Sequence, residues 1–389
     1  MRNRMIMKKH RSTFILLCLS FVLASCSALC TTKYSVPPKP AQCLPDFPYQ
    51  DGWYGADGAY SIALDERRTL WLFGDTFVSE DKDRKDRIGM EVLLGTTLAV
   101  STCSENAAFK IQYHLKKKNG KFFSSFGENE WLWPQDPFIA NGVLYIPLLV
   151  IQVLPDAQPP FNFKVAGHKI ARIKDFQADN PHLWPVDYLD WTHAIAPGIE
   201  ALATTSVLHE NYIYFYPLYR QTKDSINISG NILARIATDY LDKPADGLEY
   251  WTDHGWQKKV KPGEAKIIFP VGISEMSIRY HASDEQWLAV YLSPENRGRQ
   301  LLYQTAPSPE GPWSSPAALI EAIAEVNPAS PLYHPQSFCY AGKEHRQFTN
   351  SRNLVVTYVC NSSEDIASQE SFLRKNLFLY RPQVLNIRR

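Results

Sequence analysis

Short runs of apolar residues, separated by polar turns, recur along most of the chain and predict β-strands rather than helices. The clearest pair lies in GADGAYSIALDERRTLWLFGDTF, residues 55–77. Residues 60–64 and 69–73 are predicted as two strands joined by the polar reversal 65–68. Antiparallel pairing places Asp57, before the first strand, beside Asp75, after the second. Two carboxylates are therefore expected to meet on one edge of a hairpin.

The same hairpin pattern recurs four more times. Polar residues open the five units at steps of 79, 64, 75 and 59 residues: Asp57, Asp136, Glu200, Glu275 and His334. Tryptophans after the third strand of three units are 60 and 62 residues apart: Trp191, Trp251 and Trp313. Four-stranded repeats at this period are typical of β-propeller blades.

We therefore predict an all-β, five-bladed β-propeller over residues 51–389. A pair of β-sandwiches is the rival arrangement, but it does not predict equivalent residues at the head of every unit. In the third unit, 204–206 is an alternative head to Glu200. In the fifth, we predict strands at 336–340, 354–360 and 376–380 with a turn at 341–343. Residues 316–326 are the one stretch that could form a short helix.

Composition agrees with a strand-and-turn protein, since aromatic residues make up 13% of the chain and there are 27 prolines. The first 25 residues differ: a basic start precedes a short apolar run, as in a bacterial targeting signal. Leu23-Ala24-Ser25-Cys26 has the form of a lipoprotein cleavage site, which predicts a lipid on Cys26 and a tether over 26–50. An ordinary signal peptide that contains a cysteine is the alternative. Either reading predicts an exported protein, and the first predicts a lipid-anchored one in the cell envelope, at the outer membrane or facing the periplasm.

Cleavage before Cys26 leaves 36 Lys and Arg against 40 Asp and Glu. This balance gives no basic surface for nucleic acid. An exported protein can hold disulfides. We favour a Cys339–Cys360 pair because the two lie on neighbouring predicted strands, with Cys43–Cys103 as a weaker pairing. No cysteine spacing fits a zinc site. No cofactor or metal is predicted, and we expect a monomer.

In a propeller, the residues that open the blades converge on one axial pocket. Acids gathered there repel each other, which raises at least one pKa. A raised acid beside an ionised carboxylate is what glycoside hydrolysis requires. We expect the following roles: Asp57 as base or nucleophile, Asp136 tuning a pKa and orienting substrate, Glu275 as the acid with Glu200 in reserve, and Asp75 supporting Asp57. We expect these side chains to contact substrate: Arg279, His334, Trp53, Tyr219 and Gln336.

Several of these residues also have a structural interpretation, whereas a glutamate at position 275 is hard to explain by packing. Asp57 before a glycine and Asp136 before a proline can both start turns. Asp75 could cap its hairpin, and His334 could be a rim histidine with satisfied hydrogen bonds. For Arg279, an ion pair with one of the acids is the safer interpretation.

The segments Gly55-Ala56-Asp57-Gly58 and Leu70-Trp71-Leu72-Phe73-Gly74-Asp75-Thr76-Phe77 resemble the domain of unknown function 4185 family. That family is linked to endo-acting D-arabinan hydrolases of glycoside hydrolase family 183. Asp136-Pro137 and the segment 303–313 are similar to motifs of the wider five-bladed group that includes glycoside hydrolase family 43. The general acid of family 43 is a third-blade glutamate, and here the third blade offers only Glu200.

The resemblance implies a membrane-tethered hydrolase of an arabinan-type, pentofuranose-containing polysaccharide. The alternative from a different class is a non-catalytic envelope lipoprotein that binds a glycan or a protein. Binding of saccharide without release of product would favour the second.

Overall fold

The computed structural model describes residues 43–104, 108–157, 162–223 and 225–389, without the Lys223 side chain. The targeting segment, Cys26 and most of the predicted tether lie outside these ranges. Among the described residues, no helix is both long and apolar enough to cross a bilayer. The described residues from 43 onward fall within one compact unit.

Blade 1 is a four-stranded antiparallel sheet in the order β2-β3-β6-β7. Its hairpin has the predicted register, with Tyr60 opposite Leu72. A small sheet, β1-β4-β5, and a separate hairpin, β8-β9, flank it. The strands are β1 Trp53–Ala56, β2 Tyr60–Ala63, β3 Arg68–Phe73, β4 Thr76–Val78, β5 Glu91–Leu93, β6 Thr97–Cys103, β7 Phe109–His114, β8 Lys116–Lys118 and β9 Lys121–Phe123.

Blade 2 has the order β10-β12-β13-β14, with β11 also paired to β12. Asn141 and Gly142 have φ of 51° and 75°, as the Asn-Gly hairpin signal requires. The strands are β10 Trp131–Pro134, β11 Phe138–Ala140, β12 Val143–Val153, β13 Phe163–Ile173 and β14 Asp187–Asp190; a 3₁₀ turn covers Pro181–Leu183.

Blade 3 has the order β16-β17-β20-β21-β22, and a second sheet, β15-β18-β19-β23, lies beside it. The alternative head at 204–206 is the observed one, because the first strand begins at Ser206. The strands are β15 Ile199–Ala201, β16 Ser206–His209, β17 Tyr212–Phe215, β18 Leu218–Lys223, β19 Ile226–Ile232, β20 Ala234–Ala237, β21 Leu248–Thr252, β22 Gly255–Gln257 and β23 Ile267–Phe269. A 3₁₀ turn, Thr238–Tyr240, and a helical turn, α1 Pro244–Gly247, precede β21.

Blade 4 is the sheet β24-β25-β26-β27. Its strands are β24 Ser277–His281, β25 Gln286–Leu292, β26 Leu301–Ala306 and β27 Ala317–Ile320, with 3₁₀ turns at Glu295–Arg297 and Ala324–Val326. The short helix expected over 316–326 is wrong: the stretch is an edge strand followed by a 3₁₀ turn, since its apolar residues pair with β26.

Blade 5 is the sheet β28-β29-β30. Its elements are β28 Ser337–Glu344, β29 Asn353–Ser362, the helical turn α2 Phe372–Lys375 and β30 Gln383–Arg388. The turn predicted at 341–343 is wrong, because β28 continues through a bulge there with Ala341 at φ 55°. The third strand predicted at 376–380 is also wrong, since β30 begins at Gln383.

Five clusters of buried apolar side chains lie between consecutive blades of the described chain. They join blades 1 and 2, 2 and 3, 3 and 4, 4 and 5, and finally 5 and 1. The last junction also holds polar contacts, for Ser61 of blade 1 shares a 2.6 Å hydrogen bond with His345 of blade 5. The sheets therefore close into a ring, and the predicted five-bladed propeller is confirmed.

Two disulfides cross-link the part of the chain that the structure describes. Cys339 and Cys360 are directly opposite in β28 and β29, and they form the favoured bridge. Cys43 and Cys103 form the second, which ties the first described residue to the end of β6.

Candidate active site

Asp57 lies at the head of blade 1, where the predicted hairpin edge is observed. Its amide donates to the Asp75 carbonyl at 3.1 Å, and the Gly74 amide donates to the Asp57 carbonyl at 2.8 Å. The Tyr380 hydroxyl donates to Oδ2 at 2.7 Å, and the Tyr340 hydroxyl donates to Oδ1. Burial raises the pKa of Asp57 to about 8; the charge of Asp75 acts in the same direction, and the two phenols oppose it.

Asp75 is buried just outward from Asp57. Its Oδ1 accepts hydrogen bonds from the Gly95 amide at 2.7 Å and from the indole nitrogens of Trp131 and Trp133, both at 2.9 Å. Burial raises the pKa of Asp75 to about 6, although these three donors favour the ionised form. Asp75 is thus held in place by neutral donors, and none of these contacts is to a cation.

Asp136 lies at the head of blade 2 and forms an ion pair with Arg279. The Nη2 atom of Arg279 donates to both of its carboxylate oxygens, at 3.0 and 2.9 Å. The Thr205 hydroxyl and the Ser206 amide donate to Oδ2 at 3.1 and 2.7 Å. Asp136 is 2% exposed, so this ion pair joins the heads of blades 2, 3 and 4 below the solvent boundary. The pairing expected of Arg279 is confirmed.

Glu275 opens blade 4 and faces blade 1. Its Oε1 accepts from the Tyr60 hydroxyl at 3.0 Å. The same oxygen is 3.3 Å from where a Cβ on Gly58 would stand, so the chain next to Asp57 leaves room for this carboxylate. Burial raises the pKa of Glu275 above its ordinary range, while the charge of Lys343 and the Tyr60 hydroxyl oppose the shift.

Lys343 of blade 5 is a functional candidate that the sequence did not predict. It is 2% exposed, and its Nζ donates to the Met276 carbonyl at 3.0 Å and to the Thr204 carbonyl at 3.4 Å. The same atom lies 4.0 Å from the centre of the Tyr60 ring. It was missed because Ala341-Gly342-Lys343 has the composition of a turn. Tyr340 and Tyr380 were missed too; Tyr340 was placed at a strand end and Tyr380 in a strand that does not exist.

These side chains form one group, which we call the axial cluster: Asp57, Asp75, Asp136, Glu275, Arg279 and Lys343. The cluster holds four carboxyl groups and two cations. Arg279 neutralises Asp136, and Lys343 is the cation that stabilises the charge of Glu275. Burial raises the pKa of both remaining acids, Asp57 and Asp75, and the charge of Asp75 raises that of Asp57 further, so a proton is retained most readily on Asp57.

Three predicted site residues lie elsewhere. Glu200 does not open blade 3; it is in β15 of the adjoining sheet and pairs with Arg220 at 3.3 Å. Trp53 is fully buried and stacks on Tyr113, with ring centroids 4.5 Å apart, so it cannot contact substrate. Tyr219 is also buried, and its hydroxyl accepts from the Gly263 amide at 3.1 Å. Apolar packing takes Trp53 and Tyr219 into the core, whereas the Glu200 side chain lies exposed in its ion pair with Arg220.

The predicted opening of blade 5 is displaced. His334 stacks on Phe372 with centroids 3.9 Å apart, and the residue that reaches Asp57 is Tyr340. Gln336 is exposed immediately before β28. Contact of His334 and Gln336 with a ligand stays a prediction.

One group among the described residues has metal-ligand composition, namely Glu325, Cys339 and Cys360. Both cysteines belong to a disulfide, so neither offers a free thiolate. The group is therefore a poor metal site.

A family model described as a domain of unknown function (DUF5005) matches residues 47–389. No curated protein matches the chain. The resemblance of residues 55–77 to the domain of unknown function 4185 family stays a prediction.

Among solved structures, the chain is similar to a Bacteroides ovatus ATCC 8483 protein provisionally described as a hydrolase. Identity is 15%, the match covers 86% of each chain, and the TM-score is 0.63. An exo-β-1,3-galactanase of Phanerochaete chrysosporium with β-1,3-galactotriose matches at 10% identity over 86% of this chain and 60% of its own, with TM-score 0.45. The GH43_1 enzyme of Xanthomonas citri complexed with xylotriose matches at 12% identity over 90% and 91%, with TM-score 0.44. What the chain shares with the Bacteroides protein is the fold.

Proposed function

This chain belongs to the DUF5005 family, and from that premise we propose that it is a glycoside hydrolase acting on a pentofuranose-containing, arabinan-type polysaccharide. The observation that carries the proposal is the contrast between Asp57 and Glu275. They meet at the heads of two blades, one beside another acid and the other near a buried cation. Two carboxyl groups with opposed surroundings are the requirement for cleaving a glycosidic bond.

The surroundings support roles opposite to those expected from the sequence. Asp57, beside Asp75, retains its proton and protonates the leaving oxygen. Glu275, stabilised by Lys343 and Tyr60, stays ionised and acts as base or nucleophile. Burial, together with the charge of Asp75, holds the proton on Asp57, and Asp136 fixes Arg279 beneath the site. The second reactant is a water molecule: it attacks the sugar carbon directly when Glu275 acts as base, or releases the glycosyl group from Glu275 when it acts as nucleophile.

The arabinan-type substrate is supported by the resemblance of residues 55–77. We also propose that Cys26 carries a lipid that tethers the protein to the envelope. Two disulfides agree with an exported protein. Loss of membrane association in Cys26→Ser, with retention in Cys30→Ser, is expected in a fractionation of expressing cells; equal association of both contradicts the tether.

The test of activity is hydrolysis of arabinan, xylan and galactan by the full chain, followed by reducing ends and by the anomer first released. Asp57→Asn and Glu275→Gln are each expected to lower the rate by at least about 10²-fold, the loss typical of a missing acid or base. Glu200→Gln, an acid outside the axial cluster, is the matched control and keeps the wild-type rate. Undiminished turnover in both site variants rejects these roles.

A non-catalytic glycan-binding protein is the second candidate. It is favoured by one observation: the head of blade 3 presents Thr205, where the resemblance to family 43 implies a glutamate. This reading predicts that the wild-type chain retains arabinan in an affinity gel and releases no reducing ends.

A further inference from the structure

Lys343 is a buried cation at the point where four blades meet. It belongs to blade 5, its two carbonyl acceptors open blades 3 and 4, and the ring that it faces belongs to blade 1. Burial lowers the pKa of Lys343 to about 8, and the charges of Glu275 and Asp136 oppose that shift. Burying an ammonium group lowers the free energy of unfolding, so packing alone does not explain why a lysine occupies this position.

The charged and titratable groups around Lys343 come from four blades. They are Tyr60 of blade 1, Asp136 of blade 2, Glu275 and Arg279 of blade 4, and His345 of blade 5, while blade 3 contributes the uncharged Thr204. Burial lowers the pKa of His345 to about 3, so this imidazole is neutral. Arg279 is committed to Asp136 through both carboxylate oxygens.

Glu275 therefore has one cation to stabilise its charge, and that cation is Lys343. Lys343 also holds the neighbours of Glu275 in place. Its Nζ donates to the carbonyl of Met276, the residue after Glu275, and lies over the ring of Tyr60, whose hydroxyl donates to Oε1 of Glu275. Asp57 has no such partner among its contacts, which are two phenols and the chain beside Asp75.

We propose that Lys343 is a positioning residue that keeps Glu275 ionised and so leaves the retained proton of the axial cluster on Asp57. The identity of the proton donor is then set by a side chain that does not touch the substrate. This inference rests on the proposed function for its meaning, but not for its test, which needs no turnover.

The experiment titrates Glu275 in the full chain labelled with ¹³Cδ-glutamate, observed by NMR, with Glu275→Gln to identify the resonance. In Lys343→Met, the Glu275 carboxyl is expected to titrate at least about one pH unit higher than in the wild type, since a neighbouring positive charge is gone. In Lys343→Arg, which keeps the charge, most of that shift is absent. Lys266→Met, which removes an exposed lysine of blade 3, leaves the titration unchanged.

A midpoint for Glu275 that is the same in Lys343→Met and wild type overturns the proposal, whatever the stability of the variant. Should Lys343→Met fail to fold, the reciprocal measurement uses a variant that keeps the lysine. Because coupling between two sites is mutual, Glu275→Gln must lower the pKa of Lys343, followed through ¹⁵Nζ-lysine. An unchanged lysine midpoint overturns the proposal equally. If Lys343 and Glu275 shift each other's pKa but the wild-type chain hydrolyses no polysaccharide, the proposed function is rejected and this inference stands.

Discussion

Asp57 and Asp136 show two ways in which a propeller accommodates a carboxyl group at its axis. Asp136 is matched by a guanidinium, whereas Asp57 is held by two phenols beside a second acid. The first arrangement stabilises a charge, and the second favours a proton. We therefore expect removal of the Asp57 charge to stabilise the fold, and removal of the guanidinium beside Asp136 to destabilise it.

Asp57→Asn is expected to stabilise the fold, increasingly so at higher pH. The pKa of Asp57 is about 8 in the folded chain, above its ordinary value of 3.8, so the folded state binds the proton more tightly than the unfolded one. Its stabilising contribution is full below the unfolded pKa and is lost as pH rises through the folded pKa. The gain in thermal midpoint over wild type should grow between about pH 4 and about pH 8. Asp253→Asn, at an exposed acid, is the control; a gain independent of pH contradicts the prediction.

Arg279→Met is expected to lower the free energy of unfolding by about 3 kcal/mol or more, because it leaves Asp136 buried without its cation. Arg220→Met breaks an exposed pair with Glu200 and should cost less than about 1 kcal/mol. Urea unfolding of both variants measures the difference. Equal losses would mean that the Asp136 pair contributes no more than a surface contact.

At the scale of elements, the hairpins that carry strong turn chemistry were predictable. Asn141-Gly142 fixed the β11–β12 hairpin, and the polar reversal at 65–68 fixed that of blade 1. Blade 5 was not predictable, since its Ala341-Gly342 pair forms a bulge inside a strand. A bulge and a turn share composition, and the pairings of Lys343 with Thr357 and of Glu344 with Val356 show that β28 continues past the bulge.

Gly55 lies within β1 and offers a test of packing at the site. It has φ of 112°, and an added Cβ would stand 2.2 Å from the backbone carbonyl oxygen of Tyr380. The hydroxyl of the same tyrosine donates to Asp57. Gly55→Ala should therefore displace Tyr380 as well as strain the backbone. Gly142→Ala, at φ 75° with open space around it, isolates the backbone cost of about 1–2 kcal/mol. If Gly55→Ala lowers the free energy of unfolding no more than Gly142→Ala does, Tyr380 can move aside at no measurable cost.

At the scale of the whole molecule, five of the six residues of the axial cluster were predicted, Asp75 from the register of its hairpin and Arg279 from its expected pairing with an acid. Asp57, Asp136 and Glu275 were found because they open blades. Lys343 and Tyr380 were not, since Lys343 lies inside a bulged strand and Tyr380 in a loop, and neither position recurs from blade to blade. Glu200 failed for a related reason: a polar residue near a blade opening was taken for the opening itself.

The Cys43–Cys103 bridge links the first described residue to blade 1 across 60 residues. Replacing both cysteines by serine should cost about 4 kcal/mol, against about 3 kcal/mol for the Cys339–Cys360 pair with its 21-residue loop, on the loop-entropy model. Urea unfolding of the two double variants tests the order. The reverse order would show that the bridge in blade 5 acts through packing and not through chain entropy.

The hydroxyl of Tyr380 reaches Asp57 across 323 positions of sequence. Any fragment that stops short of residue 380 therefore leaves Oδ2 of Asp57 without this donor. Synthesis must pass that tyrosine before the contact can form.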